Sequence, residues 1–554
     1  MAIFFVAACT LNREGGPARP RLVLLIAIDA FRFDYLTRFA NNFCDRGFKR
    51  ILRRGANFTD AHINHFRTAT APGHSTMLTG ASGKVSGIVD NEWYDRELAT
   101  KVNCVEDRAA NLLVARETKS SAGRSPKNLL VTTVGDELKL ATNSKAKVIG
   151  VSYKDRAAIL PGGKMADAAY WYDTATGNFI SSTCYMSESP DWVRSFNEAK
   201  IPDSYFGKQW RKLLAEEAYE LSREDDFPHE LDYKGLGVVF PHTMNGGSDN
   251  FSMDFYQAFD HTPFADLHLA QFCKAVVENE NLGADDVPDL LTVSFSATDR
   301  IGHQYGPYSK EQHDQILRLD RIVADLLDYL DSRIGLDNMI VLMTADHGSA
   351  PIPEYIAQFG VDAGRIDTSE VPEGEDSVVI PQTVDAALDR ALGRADWIEA
   401  FVKPNLYLNY SEIDARRLSR RKVEEIGAQA LKQLHGIAEV LTRTQLLTGD
   451  FLENEITLRM SNQFFPKRSG DLVIVNQPYY LTSAYKHSIN KGSDHETCYD
   501  YDTHIPFILL GKAFKAGAYH FPVTLNDMAP TLANVLGLAY PSGNQGRVLH
   551  ECLN

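Results

Sequence analysis

Three apolar runs rich in branched residues, at 22–28, 290–295 and 339–343, each deliver the chain to acidic residues: Asp29, Asp299 after Thr298, and Asp346 with His347. Continuous runs of this length read as strands buried on both faces, the pattern of a parallel sheet. Between the last two, Ile316, Leu319, Val323, Leu326 and Leu330 recur at helical spacing, and Gly335 stands where that helix should stop. A strand, a crossover helix and a second strand make the unit that parallel pairing requires. The expected class is therefore α/β with a mostly parallel central sheet. Such sheets bind ligands beyond the carboxyl ends of their strands, so the three acids should meet in one crevice.

The remaining pattern fills out that core. Residues 147–152 read as another core strand, whereas 169–182, with a turn at 174–178, read as a hairpin leaving it. A cap is expected over about 160–285. A second insertion, about 367–470, opens in the acidic loop 370–376 and carries a helix through Val423, Ile426, Leu431 and Leu434. Strands at 471–476 and 505–510 should then return the chain to the core. Residues 21–554 form the catalytic domain in this reading, and 1–20 a residual signal and linker. Val6-Ala7-Ala8-Cys9 has the form of a lipoprotein-processing box, which makes Cys9 a lipid-anchor candidate and the expected location periplasmic or secreted.

Composition sets the outer limits. The chain has 554 residues, 44% hydrophobic and 23% charged, the balance of a folded globular protein. Its apolar runs are far shorter than the ~18 residues of a membrane-spanning helix. A net charge of −16 argues against non-specific nucleic-acid binding, and a small anionic substrate would need a locally positive site. The seven cysteines include no C-x-x-C pair, so a thiolate zinc site has no support.

Asp299 and His303 are one helical turn apart and Asp346 adjoins His347, so each pair can face one metal ion. Carboxylate oxygen with imidazole nitrogen suits zinc. His495, in Gly492-Ser493-Asp494-His495-Glu496, completes a ligand set. His504 reads as structural. His62, His65, His229, His242, His268, His313, His435, His520 and His550 have no acidic partner pattern, and His261 and His487 are no better supported. Thr70, in Thr68-Ala69-Thr70-Ala71-Pro72-Gly73-His74, is the candidate nucleophile at an expected helix N-terminus, where backbone N–H groups favour an anion. Thr68 is its rival, and His74 should support the turn.

Taken together these residues resemble the alkaline phosphatase superfamily, most closely its bacterial secreted members that use threonine. The resemblance runs in order through Asp29, Thr70-Ala71-Pro72-Gly73-His74, Asn91-Glu92-Trp93-Tyr94-Asp95, Lys154-Asp155-Arg156, Asp299 with His303, Asp346-His347-Gly348 and His495. It implies an α/β/α sandwich with cap insertions and two Zn²⁺ ions. Asp299, His303 and His495 would hold one ion, and Asp29, Asp346, His347 and the Thr70 oxygen the other. Asn91, Lys154 and Arg156 would bind the phosphoryl oxygens, and phosphate monoesters would be cleaved through a phospho-threonine. A phosphodiesterase or nucleotide pyrophosphatase of the same superfamily is the alternative. Charge separates the two. Two zinc ions cancel three aspartates and a threonine alkoxide, so Lys154 and Arg156 leave two positive charges, matching a monoester dianion better than a diester.

Overall fold

The computed structural model describes residues 19–114, 122–366, 379–482 and 491–554. The Val6–Cys9 box, the acidic loop 370–376 and His487 lie outside the described residues. Among the described residues eleven strands form the main sheet: β1 (Leu22–Ile28), β2 (Ala56–Phe58), β3 (Glu106–Leu113), β4 (Ala122–Arg124), β5 (Val148–Ser152), β6 (Ala168–Asp173), β7 (Asn178–Ser182), β8 (Asp289–Phe295), β9 (Met339–Thr344), β10 (Phe507–Leu510) and β11 (Gly517–Tyr519). Their order is β11-β2-β10-β9-β1-β8-β5-β6-β7-β3-β4.

The centre, β9-β1-β8-β5-β6, is parallel throughout, and antiparallel strands join it on both sides. Every residue of β1, β8 and β9 is buried, as their uninterrupted apolar runs require. In register, Ile28 pairs with Phe295 and Ala27 with Thr344, so the three chains leave the sheet side by side. This places Asp29, Asp299 and Asp346 at one end of the sheet. Helices cover it in two groups. Pro263–Asn279 packs against Lys310–Arg333, while Thr70–Thr79 packs against Val134–Ala141 and Met528–Leu536. The helix Lys310–Arg333 buries Ile316, Leu319, Val323, Leu326 and Leu330, and Gly335 follows it at φ +84°.

Two expectations need correction. The hairpin at 168–182 does not leave the core: Ile149 to Ser152 pair with Ala168 to Trp171, so β6 and β7 extend the main sheet. The stretch 160–285 is therefore not one excursion, since its hairpin and its final helix, Pro263–Asn279, belong to the main body. The turn at 174–178 marks the hairpin but not its place, and Ala168–Trp171 is buried as a strand inside the main sheet. Likewise Leu472–Asn476 does not return to the main sheet. It pairs with Asn405–Leu408 and Ile437–Thr442 in a separate four-stranded sheet that includes Ile398–Val402. The helices Val379–Leu392 and Arg420–Leu431 cover that sheet around a second core containing Val384, Trp397 and Leu472. The six described cysteines are unpaired.

Candidate active site

The candidate nucleophile opens helix α1 (Thr70–Thr79), whose N-cap is the extended Ala69. The helix is buried throughout, and Gly73 lets it approach the metal-site loop: a Cβ there would lie 2.3 Å from Asp346 O. His74 supports this turn, with Nδ1 2.9 Å from Thr70 O and Nε2 2.8 Å from Ser294 Oγ. Thr70 Oγ1 lies 3.3 Å from Lys154 Nζ and 3.4 Å from Arg156 Nη2. The rival Thr68 hydroxyl is engaged elsewhere, donating to Thr497 O at 2.8 Å and accepting from Glu496 N at 3.1 Å.

Lys154 and Arg156 reach Thr70 from the start of a short helix. Lys154 is extended at the start of helix α2 (Asp155–Ile159), and Arg156 lies within that helix. Lys154 Nζ is also 2.6 Å from both Asp29 Oδ2 and Asp299 Oδ2, so it bridges two strand-end carboxylates. Asn91 accepts from Ala71 N through Oδ1 at 2.9 Å, which ties it to the first turn of α1.

Asp299 and His303 lie on helix α3 (Ala297–Tyr305), one turn apart as their spacing predicts. His303 Nε2 and His495 Nε2 stand 3.2 and 3.5 Å from Asp299 Oδ1. His347 Nε2 stands 3.5 Å from Asp29 Oδ1 and 3.4 Å from Asp346 Oδ2. The His347 and His495 rings stack at 3.8 Å and join the two groups. Donor atoms of Asp29, Asp346 and His347 all lie within 4.8 Å of one another, as do those of Asp299, His347 and His495, and those of His303, Asp494 and His495. Asp494, quoted above within its segment, is thus an acid that spacing alone left without a role.

The chemistry of these donors fits metal ions. Each of the three histidines directs Nδ1 at a backbone carbonyl: His303 at Ser493 O (3.0 Å), His347 at Gly348 O (2.8 Å) and His495 at Thr68 O (2.6 Å). With the proton assigned to Nδ1 by those bonds, Nε2 turns a lone pair toward a carboxylate, an arrangement that requires a proton or cation between them. Asp29 Oδ1, Asp299 Oδ1 and His347 Nε2 are buried without a hydrogen-bond partner among the described residues. Burial, then the charges of Asp299 and Asp346, push the Asp29 carboxyl up to about 6. Burial pulls His303 down, but Asp299 outweighs it and holds the ring up to about 9. Burial and His347 hold His495 well below the ordinary histidine value.

The other histidines are mostly structural. His504 stacks on Phe33 at 4.3 Å and on His62 at 4.7 Å, away from the acids. Three read as lacking acidic partners have them: His242 lies 3.1 Å from Glu311, His62 3.1 Å from Asp60 and His435 3.3 Å from Asp362.

A family model described as type I phosphodiesterase / nucleotide pyrophosphatase matches residues 23–504. A protein of Myroides odoratus named calcium-transporting ATPase is 35% identical over 97% of this chain and 95% of its own length. Alkaline phosphatase PhoV of Synechococcus elongatus is 34% identical over 97% of this chain and 93% of its own. The crystal structure of wild-type alkaline phosphatase PafA superposes with a TM-score of 0.88 at 33% identity, covering 97% of this chain and 99% of that one. The relatives' matches cover 97% of the chain, and the span of the family model contains all the candidate donors. The chain belongs to the type I phosphodiesterase / nucleotide pyrophosphatase family and, within the alkaline phosphatase superfamily, to its bacterial alkaline phosphatases.

Proposed function

We propose that this alkaline phosphatase cleaves phosphate monoesters through a phospho-threonine on Thr70. The observation that carries the reading is the position of Thr70 Oγ1, 3.3 Å from Lys154 Nζ and 3.4 Å from Arg156 Nη2, at the first residue of a buried helix. Two zinc ions, one held by Asp29, Asp346, His347 and Thr70 and the other by Asp299, His303 and His495, would supply Lewis-acid stabilisation of the attacking and departing oxygens. The two cationic side chains and the helix N-terminus favour the Thr70 alkoxide. Thr70 attacks phosphorus in line, the alcohol leaves, and water cleaves the phosphoenzyme, giving retention at phosphorus. Lys154 and Arg156 bind the non-bridging oxygens, joined by Asn91, whose Oδ1 is already fixed by Ala71 N–H.

The matching family model favours a second reading, a phosphodiesterase. One experiment separates them: kcat/KM of purified, zinc-loaded protein on an aryl phosphate, its bis-aryl diester and ATP, with acid-quench trapping of the phosphoenzyme. Preference for the aryl phosphate with a trapped Thr70 adduct supports the proposal; preference for the diester overturns it. Among the described residues no helix is long and apolar enough to cross a membrane. Periplasmic or secreted location, with a lipid on Cys9, stands as a proposal on the Val6–Cys9 box, tested by cell fractionation and acyl labelling.

A further inference from the structure

Around the segment that carries His495 lies a network of five charged side chains, Arg67 and Asp90 buried and Lys403, Asp494 and Glu496 partly so. Lys403 sits at the turn joining Ile398–Val402 to Asn405–Leu408 of the smaller sheet. Its Nζ is 2.9 Å from Asp494 Oδ2 and 2.7 Å from Glu496 Oε2, the two residues flanking His495. Arg67 pairs with the same Glu496 oxygen and with Asp90 Oδ2. Asp90 in turn accepts from Asn91 N at 2.7 Å through its other oxygen, and Asn91 Oδ1 accepts from Ala71 N at 2.9 Å. These contacts form an unbroken path from the smaller sheet, past His495, to the nucleophile turn.

Two features set the path apart from an ordinary ion-pair cluster. Arg67 and Glu496 both hold positive φ, +70° and +89°, a conformation costly for long side chains that persists only where the surroundings enforce it. Arg67 also lies three residues before Thr70, so its backbone and its guanidinium fix two sides of one site. A planar guanidinium can hold two carboxylates in a set relation, which a lysine ammonium cannot do in the same geometry.

We infer that Arg67 and Lys403 are positioning residues: Lys403 fixes His495 through Asp494 and Glu496, and Arg67 locks that segment to Asn91 and the Thr70 turn. Neither touches substrate. This inference rests on the proposed roles of Thr70, Asn91 and His495, and it assigns the smaller sheet a part in building the site.

The test uses the full chain. Lys403→Met should weaken zinc retention roughly 10–100-fold in chelator competition, the range seen when a contact behind a metal ligand is lost. Arg67→Met should lower kcat/KM on an aryl phosphate, and its effect should shrink at least fivefold when Asn91 is already alanine, because Arg67 acts through Asn91. Arg67→Lys should recover only part of the loss. Circular dichroism of each variant identifies loss of the fold, and in that event Glu496→Gln replaces it, with the same zinc and cycle readouts. Unchanged zinc retention in Lys403→Met, or independent effects of Arg67→Met and Asn91→Ala, would overturn the inference. The wild-type chain is tested alongside for two zinc ions and a trapped Thr70 adduct; their absence refutes the functional reading itself and is read separately from the variants.

Discussion

Arg156→Ala isolates the phosphoryl clamp from the metal donors. Arg156 Nη2 is 3.4 Å from Thr70 Oγ1, and its nearest acid, Asp155 Oδ1, is 3.8 Å away. Asp155 keeps a second partner, Arg124, at 2.7 Å, so truncating Arg156 leaves no buried carboxylate stranded. One charge-assisted contact is worth about 1.5–3 kcal/mol, which predicts a roughly 10- to 150-fold fall in kcat/KM for an aryl phosphate. The 19% exposure of the side chain favours the lower half of that range, because solvent screens the charge. Lys154 differs, since its Nζ also lies 2.6 Å from Asp29 and Asp299. Its loss removes a charge from both carboxylates, so Lys154→Ala should disturb zinc occupancy as well as catalysis. The double variant should lose about 10²–10⁴-fold, with departures from additivity because both groups meet at Thr70 Oγ1. The assay is kcat/KM on an aryl phosphate and its diester, with zinc measured by mass spectrometry on the same samples. A diester offers one fewer charged oxygen, so Arg156→Ala should spare it. Equal losses on both substrates at unchanged zinc would refute the clamp.

Thr70→Ala should abolish the trapped phosphoenzyme and Thr70→Ser should keep it, whereas Thr68→Ala, which removes two buried hydrogen bonds, should cost about 1–3 kcal/mol of stability and still form the adduct. Zinc should measure about two ions per chain and fall toward one in His495→Ala, with activity lost to a chelator and regained on adding zinc; stoichiometric activity in zinc-free protein would contradict this. Burial pushes the Asp266 carboxyl up from 3.8 to about 7, so its contribution to stability is complete below about pH 4 and is lost as pH rises toward 7. Asp266→Asn should therefore flatten the stability–pH curve in that window by up to ~4 kcal/mol, and an unchanged slope in denaturant titrations would rule it out.

The parts of the fold that were legible are those whose signal is local. Residues 22–28 and 339–343 read as central strands because their runs are short for a helix, rich in branched residues and uninterrupted by polar ones, and every residue of both strands is buried. The hairpin β6–β7 was misplaced because a turn identifies a hairpin without naming the strand it joins. Its partner, β5, is set by the pairing of Ile149 with Ala168. The strand Leu472–Asn476 failed for the same reason: an apolar run can serve either sheet, and the small core around Leu472, Trp397 and Val384 is assembled from side chains far apart in sequence.

The candidate site divides along the same line. Donors that touch through a helical turn or a strand end, such as Asp299 with His303 and Asp346 with His347, carry their geometry in their spacing. Arg67, Asp90, Lys403 and Asp494 carry none, since Lys403 and Asp494 are 91 residues apart and meet only when the smaller sheet docks beside the His495 segment. Electrostatics gives the reason for their presence. Burial, then the charges of Asp299 and Asp346, raise Asp29, and the metal ions that would neutralise these carboxylates need donors held in place before binding. Asp29 and Asp346 follow directly on strand ends and Asp299 lies on helix α3, while His495 lies on a segment with no regular element of its own. A segment of that kind can keep an imidazole in register only if its neighbours are pinned, and Lys403 and Arg67 are the charged groups that pin them.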